Sequence, residues 1–314
     1  MEAGTQAAGA TPGAARPLGA ARRRWGEEII RALLFCAAAI SVLTTVGIVV
    51  ALLSESLSFF EEVGTKFFTQ SEWSPLFADP QFGIWPLLNG TFLITGIAIL
   101  VAIPIGLGSA VYLSEYASPR SRRVIKPILE VLVGVPTIVF GYFALTFITP
   151  TVLQDIFNVN VQGFNALAAG LVMGMMIVPT IASISEDAMS AVPGGLREGA
   201  YGLGATKRQV ATRVVFPAAI SGIIASIVLG ISRGVGETMI VLVAAGLQTN
   251  TGINPTEGYA TITTFMGATA KGDNPAGTIG YESIFACGLT LFVLTLVMNM
   301  IAIRFVRRYR EVYE

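Results

Sequence analysis

This 314-residue chain contains no histidine and two cysteines, and charged residues make up 13% of it. Without histidine it cannot form a histidine-dependent catalytic triad or a metal site with histidine ligands. It also lacks the Gly-x-x-x-x-Gly-Lys-Ser/Thr pattern of a phosphate-binding loop, so we expect any ATP hydrolysis to take place on another polypeptide. Cys36 and Cys287 fall in predicted spans near opposite membrane faces, so neither a disulfide nor a metal pair is predicted. No enzyme activity, metal site or cofactor site is therefore predicted for this chain.

Apolar residues dominate what is present. Hydrophobic residues make up 53% of the sequence, and the mean hydropathy of +0.69 is typical of an integral membrane protein. A helix that crosses the hydrocarbon core needs about 20 apolar residues. Six stretches meet this length: Ile30 to Leu53, Ile84 to Leu113, Ile128 to Ile148, Ala166 to Ile184, Val215 to Leu247 and Ile284 to Ile303. The sequence therefore predicts an all-α membrane protein with six transmembrane helices.

Lysine and arginine are distributed unevenly along this pattern. All of them except Lys66, Arg233 and Lys271 lie in the N-terminal region, the second and fourth connections, or the C-terminal end. In a six-span chain these regions share one side, and basic residues favour the cytoplasmic side. We therefore predict cytoplasmic termini in a multi-pass bacterial plasma-membrane protein. The basic clusters flank membrane helices and lack interleaved aromatic residues, so contact with anionic lipids is a better interpretation than nucleic-acid binding.

Three regions are predicted along the chain. Residues 1–28, rich in alanine and glycine, are expected to form a disordered cytoplasmic tail. Residues 29–309 form the six-helix transmembrane domain, and residues 310–314 form a cytoplasmic C-terminus. The aromatic-rich segment 54–83 is either a landing surface for an external protein or a cap over the helix bundle. Near the third span, Lys126 and Glu130 are four residues apart and are predicted to pair.

A polar loop at residues 186–213 separates the fourth and fifth spans. It contains two predicted short helices, with a bend supplied by Gly202 and Gly204, because glycine takes positive φ without steric cost. The second helix leads through Pro217 into the fifth span. An ordinary surface helix-turn-helix would explain the same pattern.

Two charged residues interrupt the fifth span. Arg233 and Glu237 are four residues apart in LGISRGVGETMIVLV, so in a continuous helix they would share a face. Charged side chains inside a membrane are costly and usually face a cavity or a partner. They are candidates for a transport pathway, and a buried salt bridge that joins two helices is the structural alternative.

The polar loop resembles the cytoplasmic coupling loop of type I ABC importer permeases, whose fold is called MetI-like. The residues that carry the resemblance are Glu198, Gly199, Ala200, Gly204, Val214, Phe216 and Pro217. Gly199 and Phe216 depart from the family's alanine and leucine but keep a similar size. In that family the loop forms a helix that docks in a groove of a separate ATPase. The resemblance therefore implies that these seven residues couple the chain to an ATPase.

The stretch SRGVGETMIV resembles the membrane subunits of the phosphate-specific (Pst) importers, and FGIWPLLNGT and VPTIVFGYF resemble their C-type subunit. The resemblance implies that Arg233 and Glu237 lie in a phosphate pathway. It also implies four kinds of partner besides lipid: a homologous A-type permease, two ATP-binding subunits that hold ATP and Mg, an external phosphate-binding protein, and phosphate itself. A permease for sulfate, molybdate or another oxyanion remains an alternative, as does a secondary anion transporter or channel.

Overall fold

The computed structural model describes residues 25–75, 77, 79–272, 275 and 277–308. Contacts divide them into two compact units, with the boundary between Ala51 and Leu52. Residues 25–51 are helical throughout. Most of the predicted tail (residues 1–28) and all of the C-terminus (residues 310–314) lie outside the described residues. Residues 25–28, which were expected to be disordered, belong to the first helix.

The described chain consists mainly of α-helices. In chain order they are α1 (Trp25–Val63), α2 (Lys66–Thr69), α3 (Trp85–Val111), α4 (Pro119–Val133), α5 (Thr137–Phe143), α6 (Ala166–Ser190), α7 (Gly194–Gly202), α8 (Lys207–Val210), α9 (Phe216–Ala218), α10 (Ile220–Val235), α11 (Met239–Ala244), α12 (Ile262–Thr269) and α13 (Ile279–Arg308). Three π-helical segments continue some of them: Tyr112–Tyr116 after α3, Ala144–Ile156 after α5 and Ala211–Val215 after α8. Strand β1 (Trp73–Ser74) pairs antiparallel with β2 (Gln81–Phe82).

Five described helices are long and apolar enough to cross a membrane: Gly26–Val63, Trp85–Tyr116, Thr137–Ile156, Ala166–Ser190 and Ile279–Arg307. A sixth span is obtained when Lys207–Ala218 and Ile220–Val235 are taken together, although they are bent by 72°. The predicted all-α membrane fold is confirmed, and the predicted six spans correspond to the upper count.

The third span begins later than predicted. We expected it to start at Ile128, but α4 ends at Val133 and a new helix begins at Thr137. Pro136 lies at the N-cap of α5, where proline is tolerated because a helix start leaves its N–H groups without intrahelical partners. Helix α4 is therefore a separate amphipathic helix, and the third span is Thr137–Ile156.

The fifth span is interrupted twice. Its first interruption is the bend at Ala219, and its second comprises Gly236 to Thr238, between α10 and α11. Continuous helix from Val215 to Leu247 was the prediction, and it was wrong at both places. Residues 245–261 then form an irregular segment that is fixed by backbone hydrogen bonds, such as Ala166 N–H to the Glu257 carbonyl at 2.8 Å.

Helices α3 and α6 form the most extensive helix–helix contact among the described residues. A Cβ added at Gly170 would lie 2.7 Å from the Ile97 Cβ, and one added at Gly174 would lie 2.8 Å from the Ala98 carbonyl oxygen. Small residues allow such close approach of membrane helices. The GxxxG spacing of these two glycines therefore serves helix packing.

A core of aromatic side chains lies in the part of the chain that contains β1 and β2. Phe59 is fully buried and meets Phe67 and Phe82 edge to face, with ring centroids 5.5 and 5.3 Å apart. Trp73 packs against Phe82 and Phe265 in the same way. Edge-to-face contacts of this kind stabilise aromatic clusters beyond the burial of area. This packing favours the cap interpretation for much of segment 54–83.

Candidate functional site

Helix α7 is the centre of the polar loop. It begins after Pro193, spans Gly194–Gly202 and ends in a turn in which Gly204 has a φ of +81°. The predicted bend therefore exists, and Gly204 takes the left-handed conformation that favours glycine. Thr206 starts α8 with a capping box: its backbone N–H donates to Gln209 Oε1 at 2.8 Å, and the Gln209 N–H donates to Thr206 Oγ1.

One face of α7 is open. Glu198 is exposed, and a Cβ placed on Gly199 would meet no atom within 4 Å. Leu203, just after the helix, is 92% exposed. An exposed leucine beside a small residue and a carboxylate leaves a surface with space for another protein.

The other face of α7 packs on the helix bundle. Ala200 and Phe216 contact a buried apolar cluster that includes Met189, Val192 and Val210. Val214 is half-buried and Pro217 is exposed, close to the bend of the fifth span. Of the seven predicted loop residues, the structure therefore places Ala200 and Phe216 against this cluster and Gly204 in the turn after α7, whereas Glu198 and Gly199 lie on the open face.

Ion pairs that the sequence analysis missed lie at the same end of the bundle. Arg197 Nη2 lies 3.1 Å from Glu115 Oε1, in the π-helical segment after α3. Glu186 is fully buried near the end of α6 and pairs with both Arg122 and Lys126 of α4. The predicted pair of Lys126 with Glu130 was wrong, because Lys126 instead binds two carboxylates about 60 positions further along the chain. Carboxylates near the ends of the apolar spans were the available signal for these pairs.

The environment of Lys126 fixes its charge. Partial burial acts to lower the pKa of the ammonium, but hydrogen bonds to Asp187 and Glu186 and their negative charges outweigh it, so the pKa is raised above 10.5. A raised pKa means that the pair contributes its full stability below pH 10.5 and loses it only as the pH rises through the folded value. Lys126 therefore remains cationic at neutral pH and holds α4 against α6.

Arg233 lies in the last turn of α10 and is half-buried. Its Nη1 donates to Thr180 Oγ1 of α6 at 3.1 Å. No carboxylate of the described residues forms an ion pair with it, and Glu237 in particular does not. Its positive charge is thus held in position by a neutral hydroxyl inside the membrane-spanning region.

Glu237 makes different contacts from those expected in a continuous helix. Helix α10 ends at Val235, so Arg233 and Glu237 do not share a helix face. Glu237 Oε1 accepts hydrogen bonds from the N–H groups of Met239 and Ile240, at 3.0 and 3.1 Å, and caps α11. Thr263 Oγ1 donates to the Glu237 carbonyl at 2.7 Å, which ties the interruption to α12. The expectation that Arg233 and Glu237 share a helix face was therefore wrong.

Because Glu237 caps α11, we expect different results for two substitutions of this residue. Glu237→Gln keeps an oxygen acceptor, and we expect nearly normal stability and transport, whereas Glu237→Ala strands two buried donors at a cost of about 1 to 3 kcal/mol. Thermal unfolding of the purified complex and solute uptake into liposomes measure both variants. If Glu237→Gln kept its stability but lost transport, the negative charge would be essential and a purely capping role would be refuted.

Comparison with known proteins identifies the family. The family model described as "Binding-protein-dependent transport system inner membrane component" matches residues 102–311, which include the polar loop, Arg233 and Glu237. The chain belongs to this family. It is a multi-pass inner-membrane transport component, as its apolar helices and its family indicate, and the predicted MetI-like fold is confirmed.

Relatives of this transport component cover nearly the whole chain. The probable ABC transporter permease protein YqgH of Bacillus subtilis is 33% identical over 92% of this chain and 94% of its own length. The phosphate transport system permease protein PstC of Haemophilus influenzae is 32% identical, covering 86% of this chain and 90% of its own length. A bacterial alginate ABC transporter, solved with a pentasaccharide-bound periplasmic protein, shares the fold at 17% identity, with a TM-score of 0.63 over 93% of this chain and all of the matched chain.

Proposed function

We propose that this chain is a C-type permease subunit of an ATP-driven phosphate importer and forms half of the translocation pathway. Relatives named phosphate transport system permease, such as the one from Haemophilus influenzae, support phosphate as the solute. The observation in the chain itself that carries the proposal is Arg233.

Arg233 offers a positive charge that no carboxylate of the described residues pairs with. Its guanidinium is half-buried in α10, is held by Thr180, and forms no ion pair with a described carboxylate. A charge in a membrane span calls for a partner, and an anion in transit can supply it. The planar fork of a guanidinium matches two oxygens of a phosphate. A single hydroxyl-held arginine suits transient contact rather than tight storage.

Glu237 takes part in this pathway indirectly. By capping α11 it fixes the interruption that follows Arg233, so that α10 ends directly beyond the arginine. Its side chain is 8% exposed and contacts backbone donors rather than the guanidinium. We infer that Glu237 shapes the pathway next to Arg233.

The polar loop supplies the link to ATP. The open face of α7, with Glu198 and Gly199, is the surface we assign to a partner ATPase, on the cytoplasmic side predicted from the basic residues. Two ATP-binding subunits would hold ATP and Mg, so this chain needs neither catalytic residues nor a cofactor. A homologous second permease would complete the pathway, and an external phosphate-binding protein would deliver the solute. ATPase closure would then move the loop and open the pathway in alternation.

Reconstitution tests the proposal. We would incorporate the chain with its partner subunits and binding protein in liposomes and measure uptake of labelled phosphate with and without ATP. We expect uptake that requires ATP and that a tenfold excess of sulfate or molybdate does not inhibit. Inhibition by one of these anions would move the solute to another oxyanion, and uptake without an ATPase would identify a secondary transporter.

A further inference from the structure

Arg197 precedes Glu198 in α7 but extends in the opposite direction, towards the bundle. Its guanidinium binds Glu115 Oε1 through Nη2 and Nε, at 3.1 and 3.3 Å. The same group donates to the carbonyl oxygens of Val192 and Met189, at 2.6 and 2.7 Å. One side chain thus joins the loop helix to the end of the second span and to the end of α6.

Glu115 is the buried carboxylate that accepts the hydrogen bonds from Arg197. It lies in the π-helical segment Tyr112–Tyr116, which continues α3 to the end of the second span. Its side chain is 6% exposed, and the guanidinium and the Ser114 hydroxyl are both bonded to its Oε1. A buried carboxylate is stable only with such partners. π-helical segments within α-helices occur frequently at functional sites.

A second contact joins the loop to the same segment. Lys207, at the start of α8, lies over the ring of Tyr116, with its Nζ 5.1 Å from the ring centroid. Such a cation–π contact adds a weaker attraction. In sequence, Arg197 lies before the glycine turn that follows α7 and Lys207 lies after it. The π-helical segment Tyr112–Tyr116 therefore contacts the loop at two points.

The loop is connected in different ways to the pair α3 and α6 and to α10. Helices α3 and α6 approach so closely at Gly170 and Gly174 that neither can slide without displacing side chains of the other. The covalent path from the loop to α10 instead passes through the 72° bend at Ala219. Arg197 therefore links α7 to the end of the second span and to α6 by direct contacts, whereas the covalent path from α7 to α10 passes through a bend.

We propose that Arg197 and Glu115 are positioning residues that couple movement of the loop helix to the second and fourth spans as one body. This inference rests on the proposed function, because it assigns the route by which ATPase closure reaches the pathway. Without the pair, the loop would move with the ATPase while α3 and α6 lag behind. ATP hydrolysis would then continue with little transport.

The test compares two double variants in the reconstituted complex. Arg197→Met with Glu115→Met removes both charges of the link, so neither is left stranded in a buried site. Arg122→Met with Glu186→Met removes a similar ion pair, which joins α4 to α6 and, among the described residues, has no hydrogen bond or ion pair to α7 or α8. Phosphate taken up per ATP hydrolysed is measured for both, together with thermal stability.

We expect the Arg197/Glu115 double variant to lower the uptake per ATP about tenfold, with the hydrolysis rate within about twofold of normal. The Arg122/Glu186 double variant is expected to keep the normal ratio even if its stability falls. Arg197→Lys, which keeps the charge but loses the planar fork, should give an intermediate ratio. A normal ratio in the Arg197/Glu115 double variant, or an equal decrease in both double variants, would overturn the proposal.

A readout that needs no solute separates this inference from the proposed function. After Cys36→Ser and Cys287→Ala, spin labels at Tyr112→Cys and Leu196→Cys, both exposed positions that are not part of the surface assigned to the ATPase, measure the distance from the second span to α7. We expect a non-hydrolysable ATP analogue to leave this distance unchanged in the native background and to change it in the Arg197/Glu115 double variant. A change of equal size in both backgrounds would refute the link. Failure of phosphate uptake in the native complex would instead refute only the assigned solute.

Discussion

Arg233→Met is expected to reduce ATP-dependent phosphate uptake about 10- to 100-fold, because the chain loses its charge-assisted contact with the anion in transit. Methionine is similar in length and apolar, so it removes the charge without a large cavity. Among the described residues, the only side-chain hydrogen bond that this change removes is the one to Thr180 Oγ1. Folding should therefore be affected far less than transport. Initial uptake rates in liposomes containing equal amounts of complex measure the effect.

Three further variants sharpen this experiment. Arg233→Lys keeps the charge but loses the two-pronged contact, so we expect a smaller decrease of about tenfold. Thr180→Val removes the hydroxyl that holds the guanidinium and should weaken uptake less than loss of the arginine. Ser232→Ala is the matched control, because its hydroxyl bonds Asn299 of α13 instead. Normal uptake by Arg233→Met, in a complex of normal abundance, would refute the role of this arginine in the pathway.

The spans and the loop could be predicted because they depend on local composition. Hydropathy located the membrane segments, and the glycines near Gly204 located the turn, since positive φ is a property of the residue itself. The family resemblance rested on the same local spacing. Each of these features is contained in a few consecutive residues.

The interruption after Arg233 could not be predicted, because an apolar run reads the same whether it is one helix or two. The i, i+4 spacing that placed Arg233 and Glu237 on one face presupposes a continuous helix. In the structure the Glu237 carboxylate instead accepts hydrogen bonds from the backbone N–H groups of α11. Lys126 shows the same limit: Glu130 is close in sequence, but tertiary packing brings Glu186 closer. Long-range partners of a charge follow from how the helices pack, and spacing along the chain does not contain that information.

Gly199→Phe tests the loop surface with a change that the chain itself can tolerate. A side chain at this position would point into open space, and phenylalanine has a higher helix propensity than glycine, so α7 should form normally. If α7 docks in a groove of an ATPase, the ring would prevent close seating. We expect ATP-dependent uptake to fall roughly 30-fold or more, as for loss of an interface hot spot worth about 2 kcal/mol.

The matched control is Gly26→Phe, which also places the ring in open space but lies outside the loop. Co-purification of the ATP-binding subunits with each variant measures docking, and thermal unfolding of the isolated chain measures its fold. We expect Gly199→Phe to lose the ATPase subunits with an unchanged unfolding midpoint, while Gly26→Phe retains both. Retention of the subunits with normal uptake in Gly199→Phe would mean that the partner approaches elsewhere, and the exposed carboxylate of Glu198 would then have to be explained as a solvated surface group.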